Sequence, residues 1–103
     1  MKIDKVIITL KTQEKIFKKH KIKRDQIENT FFDKPYCFKV KNKRYLLIGY
    51  IGEYITIVFN YKENQAYAIT AYKSSKWQKK LYKRKQALNW AKSPFQARLN
   101  ATA

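Results

Sequence analysis

Between residues 36 and 72 the chain carries four runs of β-branched and aromatic residues, each separated from the next by only a few residues. "YCFKVK" alternates strictly, with Tyr36, Phe38 and Val40 on one side and Cys37, Lys39 and Lys41 on the other. "RYLLIGY" follows after Asn42 and Lys43, "YITIVFNY" after Ile51, Gly52 and Glu53, and "AYAITAY" after "KENQ". In the third run Ile55, Ile57, Phe59 and Tyr61 share a face. A period of two marks a strand with one buried face, and turns this short join only antiparallel neighbours. The chain therefore has little choice but a meander. The middle runs are the most apolar, which places them centrally with one face under helices.

On the N-terminal side, "VIITL" (Val6 to Leu10) reads as a short strand. A helix is expected from Thr12, as N-cap, to His20, with Ile16, Phe17 and His20 on one face. Ile22 breaks that pattern. A second helix follows from Arg24 to Phe32 with Ile27 and Phe31 inward, and Pro35 ends it. Beyond the meander, Ser75 and Gln78 have the spacing of a capping box and open a third helix. Trp77, Leu81 and Leu88 form its expected apolar stripe, and its other faces are basic. The fold class is thus α+β: a small antiparallel sheet of about four strands, two N-terminal helices and a basic C-terminal helix. Residues 1–88 make a single domain, and residues 89–103 read as a tail in which Pro94 ends any helix.

Seven of the 13 residues from Lys73 to Lys85 are Lys or Arg and none is acidic, within a 103-residue chain of formal charge +17. Self-repulsion at that density points to a polyanionic partner, nucleic acid before membrane or acidic protein. A single cysteine allows no internal disulfide, and no apolar run is long enough to span a bilayer. The opening apolar stretch is too short and interrupted for a secretory signal, so the cytoplasm is the default compartment. One His, one Cys and seven scattered acids do not supply an ordinary metal site, and two glycines make no phosphate-cradling loop. No cofactor is expected.

Metal-free RNA cleavage stays open. It needs a base for the 2′-OH, cations for the phosphorane and an acid for the leaving oxygen, work that His, Tyr, Lys and Arg can do. Each candidate also has a structural reading. His20 suits a helix C-terminus as a cation, Arg44 a solvated strand edge, and Tyr72 a strand end. Trp77, on the apolar stripe, reads as core before RNA-stacking. Lys76, Lys79, Lys80, Lys83 and Arg84 form either a solvated helix face or, given the net charge, a surface for RNA phosphates.

Two blocks carry a family resemblance. In "EKIFKKHKIKRDQIENTFFDKP" it rests on Lys19-His20 before Ile22, then Glu28, Phe31 and Pro35. In "RYLLIGYIGEYITIVFNYKENQAYAITAYKSSKWQKKLYKRK" it rests on Arg44, Tyr45 and Gly49, the Val58-Phe59 strand, Ile69 to Tyr72, the serines, and a basic helix containing Tyr82. Together these stretches resemble BrnT-type toxins over residues 14–85. The resemblance implies a RelE-like fold and a metal-independent ribonuclease that blocks translation by cleaving mRNA, on or off the ribosome. It also implies an acidic antitoxin partner and a toxin–antitoxin hetero-oligomer. By position it assigns catalysis to His20, Lys19, Arg44, Tyr72 and Lys73. Two departures stand out: Lys21 where the family has Gly after the His, disfavouring a left-handed helix end, and Tyr72 where many relatives have Arg. Two other functions fit the residues, a non-catalytic nucleic-acid-binding module and a basic protein-interaction domain.

Overall fold

The computed structural model describes residues 2–91, with side chains to residue 86. Its elements are β1 (Lys5–Ile7), α1 (Leu10–His20), α2 (Arg24–Phe32), β2 (Tyr36–Lys41), β3 (Arg44–Tyr50), β4 (Tyr54–Lys62), β5 (Gln65–Lys73) and α3 (Lys76–Ala91). The fold is α+β as expected, but the sheet has five strands in the order β1-β5-β4-β3-β2. The four-strand meander is antiparallel throughout. The additional strand, β1, joins the outer edge of β5 in parallel, pairing Val6 with Ala66. Parallel pairing requires a long crossover, and here the whole body of the domain supplies it. The C-terminal tail lies outside the described residues from residue 92 onward.

Two local expectations are corrected. The N-cap of α1 is Thr9 and not Thr12: Thr9 Oγ1 accepts the Thr12 N–H at 3.2 Å and donates its own proton to Thr12 Oγ1 at 2.8 Å. β1 accordingly ends at Ile7, and Leu10 opens the helix in place of closing a strand. Lys21 adopts the left-handed conformation (φ 60°) despite its side chain, and its N–H reaches the Phe17 carbonyl at 2.9 Å. α2 starts with the Gln26 side chain accepting the Lys23 N–H at 2.8 Å.

α1 and α2 cover one sheet face. Ile16, Ile22, Ile27 and Phe31 pack there with Leu47, Ile55, Ile57, Phe59 and the small Ala66, Ala68 and Ala71. Phe31 meets Phe59 edge-on at 5.0 Å between centroids. Gly49 is a steric necessity, since a Cβ there would stand 2.6 Å from Thr30 Cγ2 on α2. α3 crosses the opposite face, so the sheet is covered from both sides near the row Ile48–Thr56–Tyr72. α3 does not pack through a Trp77–Leu81 stripe as expected. Among its described side chains Gln78 is the buried one, 2% exposed, while Trp77 is 56% exposed. Burial of a polar side chain is possible because every polar end of Gln78 is hydrogen-bonded. The Leu88 side chain lies outside the described ones.

Candidate functional site

β5 reaches the site through a bulge. Val58 pairs with Thr70 but Phe59 pairs with Ala68, leaving Ile69 as an extra residue. Unbroken alternation would set Tyr72 on the same face as Ala66 and Ala68, in the core. The bulge reverses the alternation, so Ala71 stays in the core and Tyr72 turns to the α3 face. There its hydroxyl accepts a hydrogen bond from Gln78 Nε2 at 2.9 Å. Gln78 Oε1 in turn accepts the Ser75 N–H at 2.9 Å and the Thr56 hydroxyl at 3.0 Å. Thr56 Oγ1 and Ser74 Oγ lie 2.7 Å apart, and with the Thr56 proton given to Gln78, Ser74 is the donor between them.

α1 delivers the second group. It packs along β5, and His20 at its end brings its ring to 6.1 Å from the Tyr72 ring, tilted by 49°. Lys18 and Lys19 share that last turn with His20, where cations complement the helix dipole. Lys73, next after Tyr72, forms an exposed ion pair with Glu53 at 3.7 Å. Glu53 Oε1 also accepts from Gln26 Nε2 at 3.3 Å, so the β3–β4 turn is tied to α2 beside the lysine. The structure thus brings the His20 and Tyr72 rings together, with Lys19 and Lys73 next to them in the chain.

It does not gather Arg44 with them. Arg44 opens β3 and pairs with Asn60, whereas Tyr72 pairs with Thr56. That is four residues along β4, about 13 Å, with two strand spacings, about 10 Å, across. Arg44 nevertheless shares the α3 face with Tyr72, because Arg44, Leu46 and Ile48 alternate onto it. Between the two lie Leu46, Val58 and Thr70, each partly exposed and beyond α3.

Five of the six cations of α3 occupy one side of the helix, and the sixth, Lys85, turns away to stand 5.5 Å from the Tyr36 ring centroid. At about 100° per residue, Lys76, Lys79, Lys80, Lys83 and Arg84 fall within an arc of about 140° opposite Gln78. All are exposed, and among the described residues none pairs with a carboxylate. Lys79 and Lys83 place their ammonium groups 5.8 and 5.4 Å from the Tyr54 ring centroid. Tyr82, which meets Tyr54 edge-on at 5.9 Å, has its phenol pKa pushed up by burial and then by Asp33 and Tyr54. Among the described residues no three His, Cys, Asp or Glu side chains come together in a metal-holding group. No described helix is long and apolar enough to cross a membrane.

Gln78, Thr56 and Glu53 escaped the reading of the sequence. Gln78 was visible only as a helix cap, a role it does perform for Ser75 N–H; its reach back to Tyr72 depends on the bulge.

A five-stranded sheet backed by two helices and crossed on its other face by a basic helix defines an α+β domain. One solved structure that it resembles is that of the Brucella abortus ribonuclease toxin BrnT, with a TM-score of 0.59, 20% identity, and coverage of 70% of this chain and 97% of that one. That likeness establishes a BrnT-like fold. No protein-family model matches the sequence, and no curated protein matches it.

Proposed function

We propose that this chain is a metal-independent endoribonuclease, the toxin of a toxin–antitoxin pair, and that it inhibits translation by cleaving RNA. The observation that carries the reading is the approach of the His20 and Tyr72 rings at 6.1 Å beside Lys73, at one end of an uninterrupted basic helix face. In this reading neutral His20 accepts the proton of a ribose 2′-OH, whose oxygen forms a bond to the adjacent phosphorus. Lys73 and Lys19 hold the extra charge of the phosphorane. Tyr72 gives its proton to the 5′-oxygen as the P–O5′ bond breaks, leaving a 2′,3′-cyclic phosphate and a 5′-hydroxyl. The Lys73–Glu53 pair is exposed, and such pairs are weak enough to exchange for a phosphate at small cost. Arg44 then serves a phosphate farther along the strand, across Leu46, Val58 and Thr70, and not the reacting one. The cations of α3 hold the backbone, and an acidic antitoxin neutralises the chain by covering them.

The test is purified protein with total RNA in EDTA, followed by end-group analysis, beside His20→Ala and Tyr72→Phe. Cyclic-phosphate and 5′-hydroxyl ends made by the wild type, and lost in both variants, are expected. A 5′-phosphate product, or activity restored only by Mg²⁺, would contradict the mechanism. Induced expression is expected to arrest bacterial growth, and normal growth at confirmed soluble expression would leave a binding module as the better reading.

A further inference from the structure

Among the described side chains of α3, Trp77 is the largest apolar one left in solvent, and it stands among cations. Together with Leu81, Lys80 and Arg84 it lines an open surface hollow of about 350 Å³. An indole 56% exposed costs free energy unless something covers it, and the chain's own sheet does not. Its position on the helix is specific. Trp77 lies two residues, about 200° of turn, from Lys79, whose ammonium stands over Tyr54 at the β3–β4 end of the sheet. Trp77 and Leu81 therefore occupy the other flank of α3. The surroundings of the hollow select its occupant: two cations on its rim and a net charge of +17 repel a basic peptide, give a neutral one no net attraction, and attract a polyanion.

We propose that Trp77 is a stacking platform for one unpaired base of a single-stranded nucleic acid. Leu81 packs beside the base edge, and Lys80 and Arg84 take the phosphates on either side of it. Stacking is tolerant of sequence because every base presents a π-face, so the site anchors the strand without choosing its sequence. The inference rests on the reading of the chain as an RNA-binding protein, and extends it from phosphates to bases.

The test uses the full chain and an oligodeoxythymidine of about ten nucleotides, which lacks the 2′-OH and cannot be cleaved by the proposed route. An abasic strand of the same length is the second probe. Affinities are measured by fluorescence anisotropy over a range of salt, with thermal melts to confirm that each variant is folded. Trp77→Ala is expected to weaken oligodeoxythymidine binding about tenfold, the effect of losing one base–aromatic stack, and Trp77→Phe to restore most of it. The abasic strand is expected to bind wild type and Trp77→Ala alike, and the salt slope to stay unchanged because no phosphate contact is lost. Equal binding of oligodeoxythymidine by wild type and Trp77→Ala, or an equal loss on the abasic strand, would overturn the proposal and leave the hollow as a protein contact. Failure of the wild type to bind either strand would overturn it together with the RNA reading. Stacking observed in a protein that cleaves no RNA would overturn only the ribonuclease reading.

Discussion

The amide of Gln78 cannot turn round. Its oxygen is fixed by two donors, the Ser75 N–H and the Thr56 hydroxyl, so the nitrogen is the end that faces Tyr72. The Tyr72 oxygen thereby accepts from α3, and its own proton is not taken up by that contact. Gln78→Glu keeps both acceptor contacts but offers Tyr72 an acceptor in place of a donor, drawing the phenol proton inward. If Tyr72 is the acid of RNA cleavage, kcat in single-turnover assays is expected to fall at least tenfold with KM little changed. Gln78→Leu instead removes the acceptor of the Ser75 N–H and of the buried Thr56 hydroxyl and is expected to cost about 1–3 kcal/mol in a denaturant melt. Loss of stability alone in both variants would make Gln78 merely structural. Cys37 gives an independent check at the same scale, since burial raises its thiol to about 11 from 9.0. Its folded pKa lies above the unfolded one, so the stabilisation is fully present below pH 9 and lost as pH rises toward 11. Alkylation of the folded protein is expected to be slow at pH 8 and to accelerate over that window. The alkaline fall in melting temperature should be shallower in Cys37→Ala.

At the scale of elements, close approaches and turns decide more than propensity. Gly49 lets β3 lie against Thr30 of α2, and Gly49→Ala is expected to cost about 1–3 kcal/mol by overpacking. Lys21 holds a left-handed conformation that Gly adopts without strain, so Lys21→Gly is expected to stabilise by about 0.5–1 kcal/mol, measured in the same melts. The meander was legible because its alternation and short turns are local signals, and the β4–β5 turn at Glu63 and Asn64 has the two positive φ values of a tight hairpin. β1 was legible as a strand but not as a parallel partner of β5. Three residues carry no register, and the pairing is fixed only once the rest of the domain has folded between them. Two features of the site were hidden for a different reason. The bulge at Ile69 leaves no mark in "AYAITAY", yet it decides which face Tyr72 occupies. The packing face of α3 was misread because hydrophobic periodicity counts Trp77 as inward and Gln78 as outward. A fully satisfied hydrogen-bond network reverses both.

For the whole molecule, charge sets two responses to salt with opposite signs. Only three ion pairs are present among the described residues, all exposed, against a formal charge of +17. The folded state concentrates that charge, so screening favours it, and the melting temperature is expected to rise as NaCl is raised from about 10 to 150 mM, where the Debye length falls from about 30 to 8 Å. Affinity for single-stranded RNA is expected to fall over the same range, with a log–log slope of about −0.7 for each phosphate neutralised. Replacing Lys76, Lys80 or Lys83 by Ala should reduce that slope by somewhat under one unit and weaken all sequences alike, because flexible point charges on an exposed helix face contact backbone and not bases. Such surface changes usually alter stability by only about 0.5 kcal/mol, so the two readouts separate binding from folding. An affinity independent of salt, or a lysine variant with a changed sequence preference, would show that α3 is not the phosphate-holding surface. Its cations would then be explained by an acidic protein partner, whose binding should show the salt dependence that RNA lacked.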